Sequence, residues 1–364
     1  MAKLEELNIN VVGIYTATTT IVTEPRLSNK LLISKNEKML LGDGCYDKIM
    51  QKRMHIILYY KNKSDENSRW HIGGWIKKTL GNALVDHPIM AGRIRRDENG
   101  CLEIVANDSG VRIVEGEIAL SLVEFFECKR KNNEVEGKLV SWVDVEINPQ
   151  FSPLFYVQVT NFKCGGYSIG VSCSLFLVDP LFMANFLNKW AKIHRNIAYE
   201  GEVPKIPLFP ILKTNNIWCS LPFSTTKKTS KTILFNILMD EKFDSSDTIF
   251  KYFVLLCLNE AESKFDYKTS TSFTLITKEL NGNIKIEILS KQTLFKSPKN
   301  LKYKCTSSSI EDLGMNEIVF HNGNGPIDAS LWIDCDALEG TLVEISYLCG
   351  KECGMKVNVT FPIT

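Results

Sequence analysis

The sequence is poor in histidine and has no excess of charge of either sign. Among 364 residues there are 5 histidines, and 43 Lys and Arg residues face 42 Asp and Glu residues, for a formal net charge of +1. A nearly neutral chain lacks the basic field that binds a polyphosphate backbone, so we expect no nucleic acid partner. Imidazole is the usual side-chain base near neutral pH, and a mechanism that depends on it has few candidates here. They are His55, His71, His87, His194 and His321.

Long apolar runs are also absent. The longest, such as Phe253–Leu258, fall far short of the roughly 18 residues that a transmembrane helix needs. The segment Met1–Leu7 is charged and lacks the apolar core and cleavage site of a secretory signal. These observations predict a cytoplasmic protein without a transmembrane segment, at most peripheral at the endoplasmic reticulum.

Cysteine usage indicates neither a disulfide framework nor a metal site. The 11 cysteines are an odd number and have no repeated spacing, so we interpret them as reduced thiols. The one close pair, Cys349 and Cys353, has no second pair or nearby histidine to complete four zinc ligands. We therefore predict no metal.

Apolar residues are abundant, at 44% of the chain, which is enough for a sizeable core. At roughly 150 residues per domain the length predicts two domains. The first half alternates strands and helices: Met54–Tyr60 is a predicted strand, and apolar residues recur at helical spacing from Ile72 to Leu84. Leu154–Leu177 has the alternation of a hairpin, and Asp179-Pro180 then supplies a helix cap and a first-turn proline.

The composition changes after the first half, where prolines and a polar run between Tyr199 and Lys231 indicate an exposed connection. We place a linker over residues 199–231, between domains over 1–198 and 232–364. The second domain repeats the mixed character of the first, with a predicted helix over 246–262. Residues 281–312 are polar and Lys-rich, which favours an irregular connection.

Four segments of the chain have a characteristic order and spacing: Ile76–Arg93, Asn107–Glu115, Phe151–Cys173 and the helix that ends at Asn188–Ala191. Together they resemble the BAHD family of plant acyl-CoA-dependent acyltransferases. The match covers the first 195 residues or so, whereas the second half matches loosely. Asn107–Glu115 and Phe151–Cys173 are most similar to the Eceriferum-type branch, whose members support elongation of very-long-chain fatty acids for wax beside a condensing enzyme.

The resemblance implies an α/β, mixed α+β fold of two chloramphenicol-acetyltransferase-like domains, whose mixed sheets are flanked by helices. It also implies a tunnel between the domains that admits an acyl thioester from one side and an acceptor from the other. The chain is shorter than typical members, and the deficit falls in the second domain, which we expect to be shortened. We expect a monomer that requires no cofactor and has acyl-CoA as a ligand.

The family's catalytic signature, His-X-X-X-Asp-Gly, is altered in this sequence. Its histidine removes the acceptor's proton and its aspartate is structural. Leu175 stands at the histidine position, Asp179 is retained, and Pro180 replaces the glycine. The second signature, Asp-Phe-Gly-Trp-Gly, which supports the thioester channel, falls on a loop that keeps only the two glycines. That loop is His321, Asn322, Gly323, Asn324 and Gly325.

Two residues are weak candidates for the missing base: Ser174, next to Leu175, and His321, in the loop of the second signature. Ser174 needs an activating partner, because a free hydroxyl is a poor base. His321 is a relocated base or, more commonly, a solvated loop residue. Asp179 is a remnant of the catalytic loop or simply a helix cap, and none of the histidines has a carboxylate at a spacing that indicates pairing.

Two functions follow from the resemblance. The first is an accessory protein of acyl-lipid (very-long-chain fatty acid and wax) metabolism that lacks the catalytic histidine and binds a fatty-acid condensing enzyme or presents an acyl thioester. The alternative is an active acyl-CoA-dependent O- or N-acyltransferase, or a lyase, of plant specialised metabolism with an atypical site.

Overall fold

The structure is a computed structural model that contains two mixed sheets and four α-helices in the part of the chain that it describes. The described residues are 8–24, 27–33, 50–62, 69–143, 149–199, 230–239, 247–269, 272–291, 302–335, 340–348 and 353–363. The helices are α1 (Arg69–Leu84), α2 (Leu122–Lys131), α3 (Pro180–Tyr199) and α4 (Asp247–Phe265). The strands are β1 (Asn10–Ala17), β2 (Ser28–Ile33), β3 (Arg53–Tyr60), β4 (Arg93–Arg96), β5 (Leu102–Val105), β6 (Val111–Ile118), β7 (Phe155–Phe162), β8 (Tyr167–Ser174), β9 (Ser230–Met239), β10 (Ser272–Lys278), β11 (Ile284–Ser290), β12 (Tyr303–Ser309), β13 (Asp328–Ile333), β14 (Leu342–Leu348) and β15 (Cys353–Pro362).

The first sheet has six strands in the order β1-β6-β7-β8-β3-β13 and is covered on both faces. Every residue of β3, β7 and β8 is buried, as expected for strands enclosed from both sides. Ile56 and Leu58 of β3 join the main apolar core with α1 and α3. Ile57 and Tyr59 point the other way, into a cluster with α2 and the 3-10 segment Asn133–Leu139.

The second sheet has nine strands in the order β12-β9-β15-β14-β10-β11-β2-β5-β4. Helix α4 packs on one face, against alternate residues such as Val343 and Ile345 of β14. Residues of the opposite face, including Leu342 and Ile276, belong to the same main core as α3. The main core therefore lies between the two sheets.

The mixed α+β class, with mixed sheets flanked by helices, is confirmed. The expected hairpin forms as β7 and β8, and α3 begins at Pro180 as its cap predicts. The irregular connection over 281–312 is wrong in part, because Ile284–Ser290 and Tyr303–Ser309 are strands. Polar and apolar residues alternate in Ile284–Glu287, whereas Tyr303–Ser309 is mostly polar and pairs with β9 at the edge of the sheet. Composition alone therefore did not predict these two strands.

The two sheets exchange strands between the halves of the sequence. Strands β2, β5 and β4 of the first half join the second sheet, where β2 pairs with β11, and β13 of the second half pairs with β3 in the first sheet. The linker over 199–231 falls almost wholly outside the described residues, with Tyr199 ending α3 and Ser230 beginning β9. The domain limits 1–198 and 232–364 stay a prediction, as does the shortening of the second domain.

Other sequence predictions concern the thiols, metals and the membrane. Seven cysteines in the described ranges are free, while Cys349 of the close pair lies outside them. In those ranges no three His, Cys, Asp or Glu residues are grouped so that they can hold a metal ion. Among the described helices, none combines the length and the apolar character that crossing a bilayer takes.

Candidate active site between the two sheets

The turn after β8 holds Leu175, the residue that the sequence predicts at the position of the BAHD catalytic histidine. Leu175 is fully buried and belongs to the main apolar core. Its backbone N–H donates to the Lys52 carbonyl at 3.1 Å, and the Leu177 N–H donates to the Ser174 carbonyl at 3.0 Å. The turn is thus held by backbone hydrogen bonds, and the leucine side chain adds packing without a group that can move a proton.

Asp179 caps α3 and ties that helix to the second sheet. Its Oδ1 accepts a hydrogen bond from the Phe182 N–H at 2.8 Å, the geometry of a helix N-cap. Its Oδ2 accepts from the Ser346 hydroxyl of β14 at 3.2 Å. Both carboxylate oxygens therefore accept hydrogen bonds that join elements of the fold, and the structural role of this residue stays a prediction.

A buried ion pair lies beside Asp179, on the face of the second sheet that looks toward α3. Lys278 of β10 pairs with Glu344 of β14, and the Asn358 side-chain amide donates to Glu344 Oε2 at 3.2 Å. Burial raises the pKa of Glu344, the Lys278 ammonium opposes that rise, and the Asp179 charge adds to it. Glu344, a carboxylate with a raised pKa, therefore lies close to Asp179, which follows the Leu175 turn.

The nucleophilic groups of β8 near this turn are inactive as they stand. Burial raises the pKa of the Cys173 thiol to about 12, so it stays protonated. Ser174 is fully buried, and its hydroxyl oxygen accepts from the Phe176 N–H at 3.3 Å. Its neighbour across the sheet is Arg53, a cation that cannot take a proton from a hydroxyl. Neither of these described neighbours is the activating base that the candidate role of Ser174 requires.

The loop of the second signature, residues 321–325, docks at the other end of the first sheet. The Asn324 amide donates to the Lys61 carbonyl at 2.9 Å, and Gly323 supplies the left-handed backbone of the turn, with a φ of 69°. The His321 ring lies 6.2 Å from Tyr167, the first residue of β8, whereas Leu175 follows the last. At about 3.3 Å per residue, the extended chain from Tyr167 to Leu175 spans roughly 26 Å. The structure does not bring these two residues together.

His194 of α3 packs against this loop. Its ring lies 5.2 Å from that of His321, and its Nδ1 lies 3.1 Å from the Thr79 hydroxyl, which also accepts from Trp190 Nε1 at 3.0 Å. Burial lowers the pKa of His321, and it lowers that of His194 to about 3, with smaller contributions from His321 and Arg195. Both imidazoles are therefore neutral near neutral pH, and they join the loop to α3.

His87 packs on α3, and the side chain of His71 is not among those described. The His87 ring contacts Phe182 and Phe186 at 5.0 and 5.8 Å. His87 therefore has an aromatic environment at the start of α3.

His55 has partners that the sequence did not reveal. Its Nδ1 lies 2.8 Å from the Ser172 hydroxyl and its Nε2 lies 2.8 Å from Asp334 Oδ2, while the ring stacks on Trp332 at 5.1 Å. No spacing in the sequence indicates this carboxylate partner, because 279 positions separate His55 from Asp334. His55 and Ser172 are buried, and the array joins three strands under a tryptophan.

Known proteins are similar to this chain mainly in its first half. Residues 34–208 match the family model described as the Transferase family. A hydroxycinnamoyltransferase of Narcissus pseudonarcissus is 34% identical over 140 residues, which are 38% of this chain and 32% of the relative. The Arabidopsis thaliana protein named ECERIFERUM 26-like is 34% identical over 117 residues, 32% of this chain and 27% of the relative. Each match thus spans about a third of the relative's length.

Among solved structures, vinorine synthase has a TM-score of 0.47 and 14% identity over 98% of this chain and 95% of its own. The family-model match over residues 34–208 includes β3, the hairpin of β7 and β8, the Leu175 turn and α3. Residues 34–208 of the chain are therefore similar to the Transferase family.

Proposed function

We propose that the whole chain belongs to the BAHD acyltransferases and acts as an accessory protein of acyl-lipid metabolism rather than as an ordinary transferase. The single observation that carries the proposal is the fully buried Leu175 at the position of the family's base. Proton removal from an alcohol or amine needs a group of suitable pKa within hydrogen-bond reach of it. A leucine in an apolar core supplies none.

The rest of the turn supports a retained scaffold. Asp179 still caps α3 and still bonds to Ser346 of β14, so the contact between the sheets survives the loss of the histidine. Preservation of the contact without the base is what we expect of a protein used for binding. The similarity to the protein named ECERIFERUM 26-like supports the resemblance to the Eceriferum-type branch. By that resemblance we propose a fatty-acid condensing enzyme as partner, an acyl thioester as ligand, and residence in the cytoplasm at the surface of the endoplasmic reticulum.

Two measurements test this proposal. Co-expression with a plant condensing enzyme should lengthen the fatty-acid profile compared with the condensing enzyme alone. The purified chain should release no more free thiol from acyl-CoA, with alcohols or amines as acceptors, than a heat-denatured sample. An unchanged chain-length profile would refute the accessory role, and acceptor-dependent thiol release would favour an enzyme instead.

The second candidate function is an acyltransferase or lyase with a relocated base, and Glu344 is the observation in its favour. This carboxylate is fully buried, its pKa is raised, and it lies beside Asp179. If thiol release is seen, Glu344→Gln should lower it by about 10²- to 10⁴-fold, the usual contribution of a general base. Glu136→Gln is the matched control, because Glu136 is equally buried but lies under α2, where it accepts from Tyr59.

A further inference from the structure

Two cysteines meet where α4 packs on β12, the outer strand of the second sheet as described. Cys257 lies in α4 and is fully buried, and Cys305 lies in β12 and is partly exposed. Both are free thiols, and Cys305 packs against the apolar cluster that contains Cys257. Neither residue belongs to the Leu175 site.

The neighbouring aromatic contacts show that α4 and β12 lie side by side. The Tyr303 ring lies 5.0 Å from the Phe253 ring, and the Tyr303 hydroxyl lies 3.1 Å from that of Tyr252. Cys257 follows Phe253 by one helical turn, about 6 Å, and Cys305 follows Tyr303 by one strand repeat, about 6.6 Å. The two steps are nearly equal, so Cys257 and Cys305 meet as Phe253 and Tyr303 do, and each thiol shifts the pKa of the other.

We propose that Cys257 and Cys305 form a reversible disulfide when the protein meets a hydroperoxide. Cys305 is the reacting thiol because it is partly exposed on an outer strand, and buried Cys257 is the resolving one. The disulfide joins α4 to β12 and closes the chain between them, including β10 and β11.

The chemistry balances with hydrogen peroxide as the oxidant. The Cys305 thiolate attacks a peroxide oxygen, and with one proton the products are a sulfenic acid and water. Cys257 then attacks that sulfur, the S–S bond forms, and a second water leaves. Two thiols lose two electrons and two protons, which reduce one peroxide to two waters. A dithiol reductant reverses the reaction.

The electrostatics favour this order of events. The hydrogen bond from Cys257 lowers the pKa of Cys305, whereas the same contact followed by burial raises the pKa of Cys257. The exposed member is thus the better thiolate, and the buried member keeps its proton until the sulfenic acid forms.

The test is peptide mapping of the full chain after treatment with hydrogen peroxide and alkylation of the remaining thiols. We expect one dominant cross-linked peptide, Cys257 to Cys305, that dithiothreitol removes. Oxidation should also raise the urea midpoint of the wild type, since a disulfide restricts the unfolded chain. The exposed Cys101 and Cys164 test selectivity, because reaction governed by exposure alone would modify them first.

Variants assign the two roles. Cys305→Ser should abolish the cross-link, and Cys257→Ala should leave a sulfenic acid on Cys305 that dimedone traps. Cys101→Ser is the matched control and should cross-link as the wild type does. Scrambled pairing, or a Cys305 that stays alkylatable while Cys101 oxidises, would overturn the proposal. These readouts involve no acyl group, so their failure is separate from any failure of the proposed function.

Discussion

Acid should weaken this fold through His194, and replacing that residue with glutamine should relieve the effect. In the folded protein the His194 ring is buried between Thr79 and His321, and burial lowers its pKa to about 3. The unfolded chain has a histidine pKa of about 6.5. Because the folded pKa is the lower one, the unfolded state binds the proton more readily. Stability is complete above about pH 6.5 and is lost as the pH falls toward 3.

The size of the effect follows from these two pKa values. One pKa unit corresponds to about 1.36 kcal/mol. Between about pH 7.5 and pH 5 the folded ring stays neutral while the unfolded one becomes almost fully charged, so the loss is about 2 kcal/mol. The group is almost fully buried, so solvent screening does not reduce this value much.

Urea unfolding of wild type and His194→Gln at both pH values measures the effect. Glutamine can still accept from Thr79 but does not titrate in this range. All other groups cancel in the comparison, so the variant should lose about 2 kcal/mol less than the wild type on acidification. His87→Gln is the control, since His87 is only half buried and should change the pH dependence less. Equal acid sensitivity in wild type and His194→Gln would refute the reasoning.

Three further substitutions probe the packing around the site. Gly170→Ala places a Cβ onto a backbone carbonyl of the covering 3-10 segment and should cost about 3 kcal/mol in a thermal melt, whereas Gly325→Ala, in ordinary contact, should change little. Asp179→Ala should lower the free energy of unfolding in urea by about 1 to 2 kcal/mol through loss of the α3 cap, and Asp179→Asn should nearly restore it. Lys278→Met leaves Glu344 buried without its cation and should destabilise by about 3 kcal/mol above neutral pH; a wild-type midpoint would show that this pair carries no net stability.

Local patterns in the sequence determined most of the elements near the site. Period-two alternation predicted the β7 and β8 hairpin, and Asp179-Pro180 predicted the start of α3, because strand pleating, caps and first-turn prolines act within a few residues. The same locality explains how Leu175 could be placed at the altered motif by counting back from Asp179. Composition did not predict β11 and β12, because many of their residues are polar and both strands form by pairing with β10 and β9.

Only the tertiary structure decided which distant residues meet. The His55 pairing with Asp334, the Lys278 pair with Glu344 and the contact of Cys257 with Cys305 each join segments that no spacing rule connects. Two sheets that exchange strands between the halves of the chain create these contacts. The scarcity of histidine was readable from the sequence, but the burial and the partners of His55, His194 and His321 arise from packing, which depends on the whole fold.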